Sequence, residues 1–169
     1  MKKREIRRST TDFVVLALLA EQPRHGFAIA RELQPQTDLG RILTVRRSSV
    51  YRSLDRLVEA GDAVADDAEP GDAGPDRTPV GITAAGRDLL RAWFAEPVAH
   101  VRDLRIEFLV KLRLAERTGG DPRDLVRRQR QALDETLSEL SRPTDGADMV
   151  ERWRRHSAIA ARQFLDEIA

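Results

Sequence analysis

The stretch from Thr44 to Gly61, TVRRSSVYRSLDRLVEAG, constrains the fold of this chain more than any other. Read as a helix starting near Ser48, it sets Val50, Leu54, Leu57 and Val58 on one apolar stripe at helical spacing. Arg47, Ser49, Arg52, Ser53 and Arg56 then point away from the stripe. One face is made for a core, the other for something anionic. Ser48 or Ser49 is placed to cap the first turn, whose free amides suit a phosphate, and Gly61 follows the last apolar residues as a helix stop. A short helix of this kind, behind another amphipathic helix, meets the requirement of a helix-turn-helix reader of a DNA groove.

The residues before it supply the rest of such a unit. The first eight are a basic arm, including Lys2 and Lys3, which is either a solvated terminus or a contact to a DNA backbone. Ser9, Thr10 or Asp12 can start a first helix, with Phe13, Leu16, Ala17, Leu19 and Ala20 buried along it. Gln22-Pro23-Arg24-His25-Gly26 breaks that helix, and Phe27, Ile29, Ala30 and Leu33 make a second one ending near Pro35. Ile42, Leu43 and Thr44 form a short extended segment or turn. Three helices joined by tight breaks are the core of a helix-turn-helix domain. After Gly61, Ala63 to Ala65 reads as a weak strand and Val80 to Thr83 as its returning partner, a hairpin with a Pro/Gly/Asp loop between. Thr83 then caps a fourth helix through Leu89, Leu90, Trp93 and Phe94, which stops before Pro97.

The net charge of +1 hides a segregation that matters more than the sum. Residues 1 to 60 hold twelve Lys and Arg against seven Asp and Glu, an excess that suits an anionic partner. From Gly61 to Asp76 the sign reverses, with Asp62, Asp66, Asp67, Glu69, Asp72 and Asp76 facing no basic residue in that stretch.

Taken in order, these stretches resemble the PadR family of bacterial transcriptional regulators. The first-helix run Thr11 to Leu19, the His25-Gly26-Phe27-Ala28-Ile29 start of the second helix and the Ser49 to Leu57 core of the third carry the resemblance. So do Gly74-Pro75-Asp76-Arg77 and Ile82-Thr83-Ala84-Ala85-Gly86, and Glu107 to Leu112 resembles the start of the family's C-terminal helical region. The resemblance implies a mainly α chain. Residues 1–96 would be a winged helix-turn-helix DNA-binding domain with a β-hairpin wing, and residues 97–169 a helical dimerisation domain. It further implies a homodimeric repressor on a pseudo-palindromic operator. In its DNA contacts, Tyr51 touches the backbone and Arg77 reaches a flanking groove from the wing. Here the wing departs from the pattern, with Thr78, Pro79 and Val80 where the family has a lysine and tyrosines, and with an acidic loop in front that a phosphate backbone repels.

The expected DNA-binding set is therefore Lys2, Lys3, Arg47, Ser48, Ser49, Tyr51, Arg52 and Arg77. Arg52 can read a guanine edge or clamp a phosphate, and the sequence does not choose. Arg56, beside Asp55, reads as a salt-linked surface residue. Trp93 has two readings, a core aromatic or, by the resemblance, part of a pocket for a small planar effector. The other function class open to the chain is a winged-helix dimerisation and protein-interaction module without specific DNA binding.

The C-terminal part holds three amphipathic segments. His100 to Arg117 is apolar on two faces, through Leu104, Phe108 and Leu112 and through Ile106, Val110 and Leu114. Asp121-Pro122 opens a second segment with Leu125, Val126, Leu133, Leu137 and Leu140 near heptad spacing. The third, from about Gly146, carries Val150, Trp153, Ala160, Phe164 and Ile168. Phe94, Trp153 and Phe164 read as packing residues.

No enzyme emerges from the sequence. Gly71 and Gly74 lack the lysine of a phosphate loop, no serine lies in a nucleophile elbow, and the carboxylates sit mainly at helical spacing from arginines. His25, His100 and His156 are isolated, so neither a metal nor another cofactor is expected. The absence of cysteine fits a reducing compartment. The longest apolar run, Phe13 to Ala20, is too short to cross a bilayer, and no signal peptide follows the basic start. The expectation is a cytoplasmic protein with no membrane partner.

Overall fold

Ser9, not Thr10 or Asp12, starts the first helix in the computed structural model, which describes residues 8–65, 78–119, 121–143 and 146–169. The Ser9 hydroxyl accepts the Asp12 amide at 3.2 Å and the Asp12 carboxylate accepts the Ser9 amide at 2.8 Å, a reciprocal cap. Helix α1 (Thr10–Glu21) is buried on nearly every side, with Val14 to Leu19 all 5% exposed or less. Helix α2 (Gly26–Glu32) lays Ile29 and Ala30 into the same core, with Leu33 following. Helix α3 (Arg47–Glu59) adds Val50, Leu54 and Leu57, while Val58, expected on this stripe, is exposed. Gly61 at φ +78 ends α3 in the left-handed conformation that a residue with a Cβ resists.

Strands β1 (Ala63–Ala65) and β2 (Val80–Ile82) pair antiparallel, Ala63 with Ile82 and Ala65 with Val80. Pro79 stands just before β2, where its missing N–H costs no ladder bond. Val80 also exchanges two 3.0 Å backbone bonds with Arg24, which ties β2 to the α1–α2 turn. Thr83 caps helix α4 (Ala84–Ala95) through the Gly86 amide at 3.1 Å.

Contacts group the chain into two compact units, Met1–Trp93 and Phe94–Ala169. The second unit opens with a 3₁₀ turn, Val101–Arg105, and helix α5 (Glu107–Arg117), where one helix from His100 was expected. Leu104 and Phe108 keep their i, i+4 apolar spacing across the break at Ile106, so periodicity does not register it. Helices α6 (Arg123–Ser141) and α7 (Met149–Glu167) pack as an antiparallel pair: Arg130 meets Asp166 at 2.8 Å, and Arg162 meets Asp134 at 3.6 Å.

Leu125, Val126, Leu133 and Leu137 are buried as the heptad spacing requires, and Gln129 fills the gap between them with no exposure at all. Its amide is satisfied twice, accepting the Val98 N–H at 2.7 Å and donating to the Val98 carbonyl at 2.9 Å. On α7 the expected stripe is rotated: Ala158 and Leu165 are buried, Ala161, Phe164 and Ile168 are partly buried, and Val150, Trp153 and Ala160 are exposed. The architecture is the mainly α one expected, a winged helix-turn-helix with a two-stranded hairpin followed by C-terminal helices.

Candidate nucleic-acid interface

Helix α3 begins earlier than its serines suggest. Val45 is buried and bonds the Leu33 carbonyl at 3.2 Å, which pins the chain two residues before the first turn. The Arg46 carbonyl then accepts from Ser49 and Val50, so Arg46 is the cap residue and no side chain caps the turn. Ser48 and Ser49 therefore lie inside the first turn rather than at its cap. Ser48 is exposed and Ser49 half-buried.

Arg47 lies between two aromatic rings. Its guanidinium carbon is 5.2 Å from the Phe27 ring centre and 5.4 Å from that of Tyr51, and it donates to the Tyr51 hydroxyl at 3.2 Å. A guanidinium over two π faces loses conformational freedom before any ligand arrives. Phe27, expected as a core residue of α2, is half exposed because it serves this shelf. Tyr51 is half-buried, its ring against Gly26 and its hydroxyl at the surface. One turn along, exposed Arg52 donates to the Ser49 hydroxyl at 3.2 Å. Arg47, Ser48, Ser49, Tyr51 and Arg52 thus share the first two turns of α3.

Two other polar residues of α3 do not join them. Ser53, expected to point away from the core, is fully buried and donates to Asp12 Oδ1, the same oxygen that takes Arg56 Nη2 at 2.6 Å. Arg56 is salt-linked as expected, but to Asp12 on α1. Burial alone would raise the Asp12 carboxyl pKa; hydrogen bonds from Ser53, the Ser9 amide, Arg56 and the Ser9 hydroxyl outweigh it and hold the group below the ordinary carboxylate range. Sequence spacing gives no signal for this network, whose members are 41 and 44 residues apart.

The arm and wing are reached only in part. Lys2, Lys3 and Arg77, with the acids from Asp66 to Asp76, lie outside the described residues. Arg8, the last arm residue, is drawn into a structural pair with Asp62, its Nε donating at 2.9 Å. Asp62 is accordingly buried, not part of an exposed acidic run. Trp93 is 6% exposed and stacked on Phe13, ring centres 4.8 Å apart and planes 3° from parallel. A separate cavity of about 570 Å³ within the second unit is lined by Leu104, Arg105, Leu109, Trp153, Arg154 and Phe164 among others. Among the described residues no helix is long and apolar enough to cross a membrane, and no group of three His, Cys, Asp or Glu could hold a metal ion.

Residues 15–92 match the model of the transcriptional regulator PadR-like family. Among solved structures, the chain is similar to Bacillus subtilis PadR in complex with operator DNA, at 18% identity over 93% of this chain and 96% of that one, with a TM-score of 0.48. It is similar to the same protein in complex with p-coumaric acid, at 16% identity over 95% and 96%, with a TM-score of 0.47. The Vibrio cholerae virulence activator AphA is similar at 23% identity over 94% and 95%, with a TM-score of 0.44. No curated protein sequence matches the chain. The matched stretch runs from within α1 to within α4, taking in the helix-turn-helix, the Arg47 shelf and the hairpin, and over residues 15–92 the chain is similar to the PadR-like family of transcriptional regulators.

Proposed function

We propose that the protein is a homodimeric repressor that sets α3 of each protomer into successive major grooves of a pseudo-palindromic operator, with Arg47, Ser48, Ser49, Tyr51 and Arg52 as its contacts. The observation that carries the reading is the held guanidinium of Arg47 beside Tyr51 and Arg52 on an otherwise buried three-helix core. A preset cation loses little entropy on meeting a phosphate or a guanine edge. Lys2, Lys3 and Arg77 add backbone charge in this reading. The homodimer is supported by apolar side chains at the start of α7, where Met149 is 85%, Val150 55% and Trp153 72% exposed; a second copy would cover them.

Release by a small planar effector belongs to the same proposal. The Trp153-lined cavity suits such a ligand better than Trp93, whose ring is spent on Phe13. Fluorescence anisotropy on the duplex upstream of the protein's own gene tests the whole. The expected result is tight, steeply salt-dependent binding that Tyr51→Ala or Arg52→Ala weakens. Binding no better than to random duplex, or charge reversal at Arg47 and Arg52 without effect, returns the protein to the class of interaction modules that do not bind DNA specifically.

A further inference from the structure

Helix α3 carries its arginines under two different regimes. Arg47 and Arg52 are exposed and held by neighbours on or beside the same surface, Phe27, Tyr51 and Ser49. Arg56, two turns beyond Arg47 and Ser48, is bound instead to a carboxylate that is 2% exposed. Asp12 Oδ1 takes Ser53 and Arg56, while Oδ2 takes the Ser9 amide at 2.8 Å and the Ser9 hydroxyl at 2.9 Å. Three of these donors are neutral, and Arg56 is the cation that the network holds. An ionised carboxylate in a protein interior is tolerated when its charge is compensated, so removing Arg56 from Asp12 uncovers a buried charge. Swinging Arg56 outward to a phosphate incurs that cost.

We propose that Asp12 is a positioning residue for the DNA-reading helix: it holds Arg56 against α1, keeps that charge out of the phosphate contacts, and confines DNA contact to the first two turns of α3. The inference rests on the reading of α3 as the DNA-contacting helix. It makes Asp12, on a helix that faces no ligand, a determinant of how many phosphates the protein neutralises. Each neutralised phosphate of duplex DNA adds about 0.9 to the slope of log affinity against log salt. That slope counts ionic contacts, and a merely structural role for Asp12 does not change it.

The experiment is a salt titration of anisotropy-measured affinity on the duplex upstream of the protein's own gene. It uses the wild type, Arg56→Ala, Asp12→Asn and the double variant, each checked for full folding by circular dichroism. In the wild-type background Arg56→Ala is expected to leave the slope unchanged and the affinity within about twofold, because Arg56 is not a contact. Asp12→Asn removes the charge at nearly unchanged shape; with its amide oxygen kept on the Ser9 side, its Nδ2 meets Arg56 donor to donor and releases it, so the variant is expected to steepen the slope by about 0.9, and adding Arg56→Ala to return it. A loss of about 0.9 on Arg56→Ala in the wild-type background overturns the proposal, and needs no Asp12 variant to fold. So does an unchanged slope in folded Asp12→Asn. Failure of the wild type itself to prefer this duplex over random DNA is seen before any variant is made, and removes the proposed function together with this inference.

Discussion

The ring of Tyr51 lies so close to Gly26 that a methyl group on Gly26 would stand 2.9 Å from Tyr51 Cε1. The third helix therefore approaches the start of the second closely at Gly26, and the Tyr51 ring that carries the proposed contact hydroxyl rests on that approach. Gly26→Ala must displace a neighbour, since Leu54 Cδ1 also stands only 3.1 Å from the added methyl. Overpacking of this kind costs about 1–3 kcal/mol. Thermal melts are expected to show a lowered midpoint, and anisotropy a loss of DNA affinity beyond what the unfolded fraction explains. A midpoint equal to or above wild type would mean that the ring yields freely and does not depend on Gly26.

Phe27 offers the converse case, an aromatic that matters to the surface rather than to the core. It is half exposed, so Phe27→Ala gives up little burial. What it removes is one of the two π faces under Arg47, worth about 0.5–1 kcal/mol at an exposed site. Expected is a roughly two- to fivefold loss of DNA affinity with little change in melting temperature, and recovery in Phe27→Tyr. Destabilisation without an affinity change would return Phe27 to the packing role that its place on α2 suggests.

How much of this was legible in the sequence depends on which physical demand is being read. Periodicity reports where apolar side chains must go, and Val50, Leu54 and Leu57, the hairpin strands and the heptad leucines of α6 lie where their spacing puts them. It is silent on which polar residue finds a partner far along the chain. Ser53 and Arg56 look like surface residues of α3 until Asp12 is brought beneath them; Asp62 looks like part of an acidic run until Arg8 meets it. Gln129 gives no signal for the same reason: a buried amide needs partners for both its oxygen and its N–H, and its partner Val98 lies 31 residues away. The proposed DNA-contact set is readable for the opposite reason. Its residues are close in sequence and their common face follows from helix geometry alone.

Asp12 also gives the fold an acid signature. Its carboxyl is held below the ordinary range in the folded chain, against about 3.9 when unfolded. The unfolded state then binds more protons between those two values, so the stability Asp12 supplies is fully present above the unfolded pKa and is lost as pH falls through the folded one. Asp12→Asn is expected to be less stable than wild type near neutral pH and to lose less on acidification. Denaturant melts of the two proteins should converge at the acid end, and parallel pH profiles would show that folding does not lower the Asp12 pKa.

Gln129 permits a sharper test, because its two bonds to Val98 have opposite polarity. Gln129→Leu fills the same space and leaves the Val98 N–H and carbonyl buried without partners, at a cost of about 2–4 kcal/mol to the second unit. Gln129→Glu retains an acceptor for the N–H but sets its second oxygen against the Val98 carbonyl. Only the protonated carboxyl can donate there, so burial and this bond both raise the folded pKa of the introduced group above about 4.3, its unfolded value. The native state then binds the additional proton, and the sign is opposite to that of Asp12. Stability is fully present below the unfolded pKa and is lost as pH rises toward the folded one. Denaturant melts of Gln129→Glu should therefore approach wild type in acid and fall away toward neutrality, whereas Gln129→Leu stays low throughout. If Gln129→Glu tracked wild type at every pH, the Val98 carbonyl would have another donor, and the clamp would rest on the Val98 N–H alone.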